Sequence, residues 1–317
     1  MRMLVTGGCG FIGSHFIDSA LSQNPHAEIV NVDNMTYASI FRTDFAKRFR
    51  GRYVFCKADI LDSAKMRRLC RDTDIIVNFA AETHVDNSLS RPKSFVETNV
   101  LGTATLLDAA LKAGHRRFFQ VSTDEVYGSA SSRPFRETAP LLPSSPYSAS
   151  KAGAEMLVLS YERTYGLAAT ITRSSNNYGT RQHPEKFIPR MITRLLCGRK
   201  IPIYGNGKNV RDWLHVSDNC GAIRMLLFGK HGGTFNVSSG FPLSNLELAR
   251  KVLRLMGKKE GGLAFVADRA GHDFRYSIDS SKIRALGWKP KIKFEGGLRE
   301  TIEWYCNSRP AWEHHVV

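Results

Sequence analysis

Short apolar runs separated by amphipathic stretches dominate the first half of the chain. RMLVT, EIVNVD, YVFCKAD, IIVNFAA and RFFQVST read as strands, each followed by a partly amphipathic helical or looped segment. This alternation predicts an α/β fold whose parallel, doubly wound sheet is covered on both faces, because a crossover between parallel strands carries a helix. ASKAGAEMLVLSYERTYG (149–166) predicts a long helix stopped by Gly166, with AATITR as the next strand. After Gly179 the regularity weakens into a Pro- and Arg-bearing region. The expected division is a sheet domain over 1–179, with 212–238 returning to it, and a smaller lobe from 180–211 and 239–317. There is no internal repeat or low-complexity tract.

Composition narrows the class. With 317 residues, 42% apolar and 23% charged, the chain can bury a large core in one α/β unit or two lobes. No stretch approaches the roughly 20 apolar residues of a membrane span. The first apolar run leads straight into glycines, as a first strand does and a secretory signal does not. Cys9, Cys56, Cys70, Cys197, Cys220 and Cys306 form no CxxC pair. That spacing argues against a disulfide framework or a metal site and for a reducing, cytoplasmic setting. The net charge of +16, concentrated at 42–52, 65–71 and 253–259, favours anionic ligands. Without a basic tail, a helix-turn-helix signal or RNP-like aromatics, nucleic acid is not the expected partner, and solvated basic helix faces explain the runs.

TGGCGFIGSH places Gly8, Gly10 and Gly13 in a G-x-G-x-x-G pattern directly after the first strand. Glycines let backbone approach a pyrophosphate, and the following helix N-terminus meets its charge. Asp33 closes the next strand, where a carboxylate accepts from ribose hydroxyls and repels a 2′-phosphate. The expectation is a Rossmann-type domain that takes NAD and not NADP. Asp59 and Ile60, after the third strand, either hold the adenine or, for Asp59, cap a helix.

VSTDEVYG (121–128) puts Thr123, Asp124 and Glu125 at a strand end. Neighbouring carboxyl groups can divide acid and base work; the alternative is a polar turn. SSPYSASKAGAE places Tyr147 and Lys151 four apart on one helical face. A lysine cation about 4 Å from a phenol is worth roughly 4 kcal/mol at an effective dielectric of 20. That is comparable with the shift needed to bring the phenol toward neutrality, and an oxidised nicotinamide nearby would push the same way, so that it can take a proton from a sugar hydroxyl.

GxxGxxG (Gly7, Gly10, Gly13) with YxxxK resembles the extended short-chain dehydrogenase/reductase family. Within it, STDEVYG, AAETHVDNS, SNNYG, HPEKFIP, VRDWLHV and GHDFRYSID closely resemble the dTDP-glucose 4,6-dehydratases, from about residue 1 to 305. The resemblance implies a smaller C-terminal lobe that binds a sugar nucleotide, and NAD as the cofactor. It implies a cofactor site of Gly7, Gly10, Phe11, Ile12, Gly13, Asp33, Asn34, Thr36, Asp59, Ile60, Ala80, Ala81 and Asn99, with Tyr147 and Lys151. Thr123 assists that pair, Glu125 is the base at sugar C5, and Asp124 is the acid at C6. For the substrate it implies Arg211, Asn176 and Asn236 at the diphosphate and Glu185 and Lys186 in the nucleotide pocket. Arg269, His272 and Tyr276 lie on a closing loop, and His84 lies near the sugar. It further implies a homodimer through a four-helix bundle built from 98–114 and 149–166, and no metal.

The sequence departs from that pattern at Ala270, where proline is usual, and at Thr180-Arg181. Both face the nucleotide, so thymidine and uridine remain open at this level. A UDP-sugar epimerase or decarboxylase is the alternative within the family. A non-catalytic nucleotide- or RNA-binding relative is the alternative outside catalysis, although all five catalytic positions are filled.

Overall fold

The structure is a computed structural model, described for residues 1–39, 45–115, 117–131, 133–268 and 271–315. Its centre is a seven-stranded sheet, all parallel, in the order β10-β6-β5-β4-β1-β2-β3. The strands are β1 (Arg2–Thr6), β2 (Glu28–Asp33), β3 (Tyr53–Lys57), β4 (Ile75–Asn78), β5 (Arg117–Thr123), β6 (Ala168–Ser174) and β10 (Gly233–Val237). Period-two side chains build the sheet's core on both of its faces. Met3, Val5, Val77 and Phe119 face helix α1 (Phe11–Gln23) and the helix Val216–Phe228 on one side. Leu4, Ile76 and Phe118 pack against Leu106, Leu107 and Val158 on the other. The five runs that read as strands are β1 to β5, with β3 the outermost. Val54 and Phe55 are exposed on this edge strand.

The long helix begins at Pro146, three residues before the stretch its apolar pattern marks. Ser145 explains the difference: its hydroxyl accepts from Ser148 N at 3.1 Å and Pro146 occupies the first turn. A π-helical turn, Val96–Leu101, leads into the helix Gly102–Lys112.

A second core gathers Tyr178, Ile188, Met191, Ile201, Trp213, Leu248, Leu298 and Trp312. Two small sheets serve it. In one, β9 (Val210–His215) lies between β7 (Asn176–Tyr178) and β11 (Pro242–Ser244); in the other, β8 (Ile201–Tyr204) pairs with β12 (Leu263–Val266). The order of the large sheet reverses between β1 and β4, which opens a crevice at their carboxyl ends. No described helix is long and apolar enough to cross a membrane.

Candidate active site

The crevice is an open cleft of about 1520 Å³, including solvent at its mouth. Gly7 lines its floor with φ +70°, and a Cβ there would sit 2.6 Å from Ala80 N. A Cβ on Gly13 would meet Gly7 O at 2.4 Å. Any side chain at either position would push β1's turn away from α1 and from the loop after β4. Helix α1 starts at Gly10 without a side-chain cap, leaving first-turn N–H groups to meet an anion. Asp33 joins the turn to β2: its carboxylate accepts from Cys9 N (2.9 Å), Met35 N (2.8 Å) and Ser39 Oγ (2.9 Å). These features fit a dinucleotide, pyrophosphate over the glycines and ribose beside Asp33.

Phe11, Ile12, Asn34, Thr36, Asp59, Ile60, Ala80 and Ala81 line the same cleft. Asp59 is not a helix cap. That place belongs to Asp62, which accepts from Lys65 N, while Asp59 accepts from Asn34 Nδ2 at 3.0 Å. Asn99 does not line the cleft, contrary to expectation. It is buried, donates to Glu82 O (3.0 Å) and Ser150 Oγ (2.8 Å), and accepts from Glu82 N. It therefore pins the loop after β4 to the long helix.

Thr123, Asp124, Glu125, Tyr147 and Lys151 all face the cleft. Thr123 ends β5 and caps a short 3₁₀ turn through Glu125 N, which projects the two carboxyl groups from the strand end. Asp124 is buried, and among the described residues its Oδ2 has no hydrogen-bond partner. Burial pushes its carboxyl well above the usual range, and the Glu125 and Asp212 charges push the same way against Arg211. Burial and these two charges all push toward the protonated form of Asp124 beside Glu125.

The tyrosine behaves differently from the sequence expectation. Lys151 Nζ donates to Val121 O at 2.7 Å, and burial lowers its pKa to about 8, with Glu155 opposing. Burial raises the Tyr147 phenol, and Glu125 and Asp124 raise it further, while a hydrogen bond with Thr123 works the other way. The protein's own side chains thus hold the phenol protonated, and the lysine alone does not bring it toward neutrality.

The second core supplies the far wall. Asn176, Glu185 and Lys186 line the cleft. Lys186 Nζ donates to Thr83 O (2.8 Å) and Thr83 Oγ1 (3.0 Å), and lies 3.8 Å from Glu185. Arg211 and Tyr276 stand behind the carboxyl pair: the guanidinium lies 4.0 Å over the Tyr276 ring, and the phenol donates to Glu125 Oε2 at 3.4 Å. His84 immediately follows Thr83 and is half-buried; burial lowers its pKa. His272 pairs with Asp268 at 2.6 Å, outside the cleft lining.

Asn236 departs from the expected diphosphate position. It is fully buried, donates to Phe135 O and Asp279 O, and accepts from Tyr127, so its amide is committed to loop packing. Arg269 and Ala270 lie outside the described residues. Sequence reasoning missed Tyr37, Glu82, Thr83, Gln182 and His183. Glu82, Thr83, Gln182 and His183 line the cleft, and Tyr37 bridges Glu185 and Asn87 at its rim. The signal was there for two pairs, since Glu82-Thr83 continues the Ala80-Ala81 loop and Gln182-His183 precedes Glu185-Lys186.

A glycine cradle facing a tyrosine–lysine turn across the end of β5 is the arrangement of the extended short-chain dehydrogenases/reductases. Comparison with known proteins narrows this. The chain belongs to the family described as GDP-mannose 4,6 dehydratase, whose model matches residues 4–301. It is 49% identical to the low-salt glycan biosynthesis protein Agl12 of Haloferax volcanii, over 96% of this chain and 98% of that one. It is 45% identical to a dTDP-glucose 4,6-dehydratase of an Actinoplanes species, over 98% of this chain and 100% of that one. Among solved structures it resembles DesIV, a dTDP-glucose 4,6-dehydratase from Streptomyces venezuelae with NAD and TYD bound. That likeness has a TM-score of 0.95, 46% identity and 99% coverage of both chains.

Proposed function

We propose that the protein is an NAD-dependent dTDP-glucose 4,6-dehydratase, forming a 4-keto-6-deoxy sugar. The observation that carries this reading is the buried Asp124 carboxyl beside Glu125 at the strand end, lining one cleft with Tyr147, where burial favours its protonated form. Transient C4 oxidation alone, as in epimerisation, has no use for such an acid. A decarboxylase would place its substrate carboxylate against it. The cradle around Gly7 and Gly13, with Asp33 at the ribose, would hold NAD, which when bound takes up hydride from C4, returns it at C6 and carries a cationic nicotinamide.

The chain's own groups handle the protons. Tyr147 accepts the proton of the C4 hydroxyl, with Thr123 beside it and the Lys151 charge one turn away. The C4 ketone acidifies C5–H, and Glu125 removes that proton. Asp124 donates to the C6 hydroxyl, which departs as water. Protonation at C5 then restores Glu125 as a base. Lys186 brings positive charge to the cleft wall for a diphosphate, whereas Arg211, expected as the clamp, is buried outside the lining with its guanidinium donating to Asp273 O (2.8 Å) and Phe274 O (3.3 Å).

Incubation with dTDP-[4-²H]glucose and UDP-[4-²H]glucose tests the reading. The expected product from the thymidine substrate carries deuterium at C6. A 4-epimer, or a holoenzyme that turns over neither sugar, would overturn it.

The same reading includes a homodimer in a reducing, cytoplasmic compartment, which suits six cysteines none of which forms a disulfide among the described residues. Val96, Leu101, Met156 and Tyr165 are about half exposed on the paired helical segments, an apolar stripe suited to a second copy. Leu101→Arg with Met156→Glu is expected to turn a dimer into a monomer in sedimentation velocity. A monomeric parent protein would defeat that part.

A further inference from the structure

Arg181 has φ +64°, the left-handed region that a non-glycine side chain occupies at a cost of about 1 kcal/mol or more. Such backbone persists only when its surroundings enforce it. The strained residue opens the segment carrying Gln182 and His183, both in the cleft wall. Gln182 Oε1 and His183 Nε2 are buried, and among the described residues neither has a partner. Their other polar atoms are used internally: Gln182 Nε2 donates to Asn177 O at 2.9 Å and His183 Nδ1 accepts from Glu185 N at 3.2 Å.

What enforces the loop comes from the far end of the chain. The helix Phe294–Asn307 delivers Tyr305, whose hydroxyl donates to Gln182 O. Two 3₁₀ turns, Arg309–Ala311 and Glu313–His315, then fold the chain back. Between them Trp312 is wholly buried and donates from Nε1 to Tyr305 O at 2.8 Å. His315 places its ring 5.2 Å from that of His183. On the other side, His15 from α1 meets Thr180 O at 2.9 Å. The loop is thus gripped at Thr180, Gln182 and His183, with the C-terminal hook making two of those three contacts.

We propose that Tyr305, Trp312 and His315 are positioning residues: the hook holds the strained 180–186 loop so that Gln182 Oε1 and His183 Nε2 meet the nucleotide sugar. The assignment of that ligand rests on the proposed dehydratase reading; the bracing does not. Alternatives that only stabilise the lobe would loosen it throughout, whereas a brace acts on one loop.

Tyr305→Phe removes a single hydroxyl and Trp312→Ala removes the packing, with Trp312→Phe as the conservative rescue. Amide hydrogen exchange of the peptide spanning 180–187 is expected to quicken at least about tenfold in the first two variants and to recover in the third. The glycine-turn peptide should be unchanged. KM for dTDP-glucose is expected to rise roughly tenfold, with NAD affinity within twofold of the parent, since a displaced positioning group weakens one ligand only. Unchanged exchange at 180–187, or an equal rise across both cores, would overturn the brace. If the parent turns over no nucleotide sugar, the dehydratase reading fails, and the exchange result still decides the brace. Should Trp312→Ala not fold, exchange in Tyr305→Phe alone decides between the two outcomes.

Discussion

Replacing Tyr147 with phenylalanine is expected to cut kcat by roughly 10²- to 10⁴-fold, the usual worth of a positioned general base, while NAD affinity stays within a few-fold. The ring is almost fully buried and packs edge-on near Phe95, with centroids 6.3 Å apart, so phenylalanine keeps the volume and loses only the hydroxyl. The phenol is held protonated by burial and by Glu125 and Asp124. It works as a base only in surroundings that offset this, and Lys151 is the chain's contribution. With the lysine's pKa lowered to about 8, its charge is present below that pH and fades above it. Lys151→Met is therefore expected to slow C4 oxidation most at neutral pH and least at alkaline pH, where the parent's lysine is itself neutral. Stopped-flow absorbance of reduced cofactor at pH 6.5 and pH 9 separates the two. A Tyr147→Phe enzyme with near-parent kcat would remove the phenol from the mechanism.

Legibility followed the distance over which each feature is determined. The glycine turn, Asp33, the Thr-Asp-Glu strand end and the Tyr-Lys turn are local, each fixed within one strand–turn–helix unit, and all of them line the cleft. Six of the seven strands of the large sheet were readable for the same reason, as apolar runs between helical segments, whereas β10 was not. Pairing of β7 with β9 joins residues far apart in sequence and has no local signature. Asn236 shows the opposite failure. Its motif was recognisable, yet the packing of Phe135, Asp279 and Tyr127 around it, which no local pattern announces, fixes where the amide points. Strain at Arg181 is likewise invisible, because a non-glycine residue gives no sign of a left-handed backbone. Lys151 was legible in position but not in partner: its hydrogen bond goes to a strand carbonyl that only the folded sheet brings near. The charge of +16 is explained by neither the cleft nor the hook.

Asp124→Asn is expected to lose water elimination by roughly 10²- to 10⁴-fold, a general acid's share, and at the same time to make the protein more stable at neutral pH. Both effects come from one arrangement. The carboxyl is buried, has no partner on Oδ2 among the described residues and faces Glu125 and Asp212, so its folded pKa lies above the unfolded one. The neutral acid therefore contributes stability that is fully present below the ordinary carboxyl range and is lost as pH rises through the raised folded pKa. Above that point a buried charge beside two others is a cost, and asparagine removes it without changing the volume. Calorimetry should show Asp124→Asn melting a few degrees above the parent at pH 8, a gain on the order of 1 kcal/mol, and level with it at pH 4. In the reaction, C4 oxidation and Glu125-dependent exchange of the C5 proton should continue, so reduced cofactor accumulates on a sugar that keeps its C6 hydroxyl. Glu125→Gln should abolish the C5 exchange as well. Elimination at the parent rate by Asp124→Asn would show that the proton at C6 comes from somewhere else, and a variant less stable than the parent at pH 8 would show that the buried carboxyl carries no raised pKa.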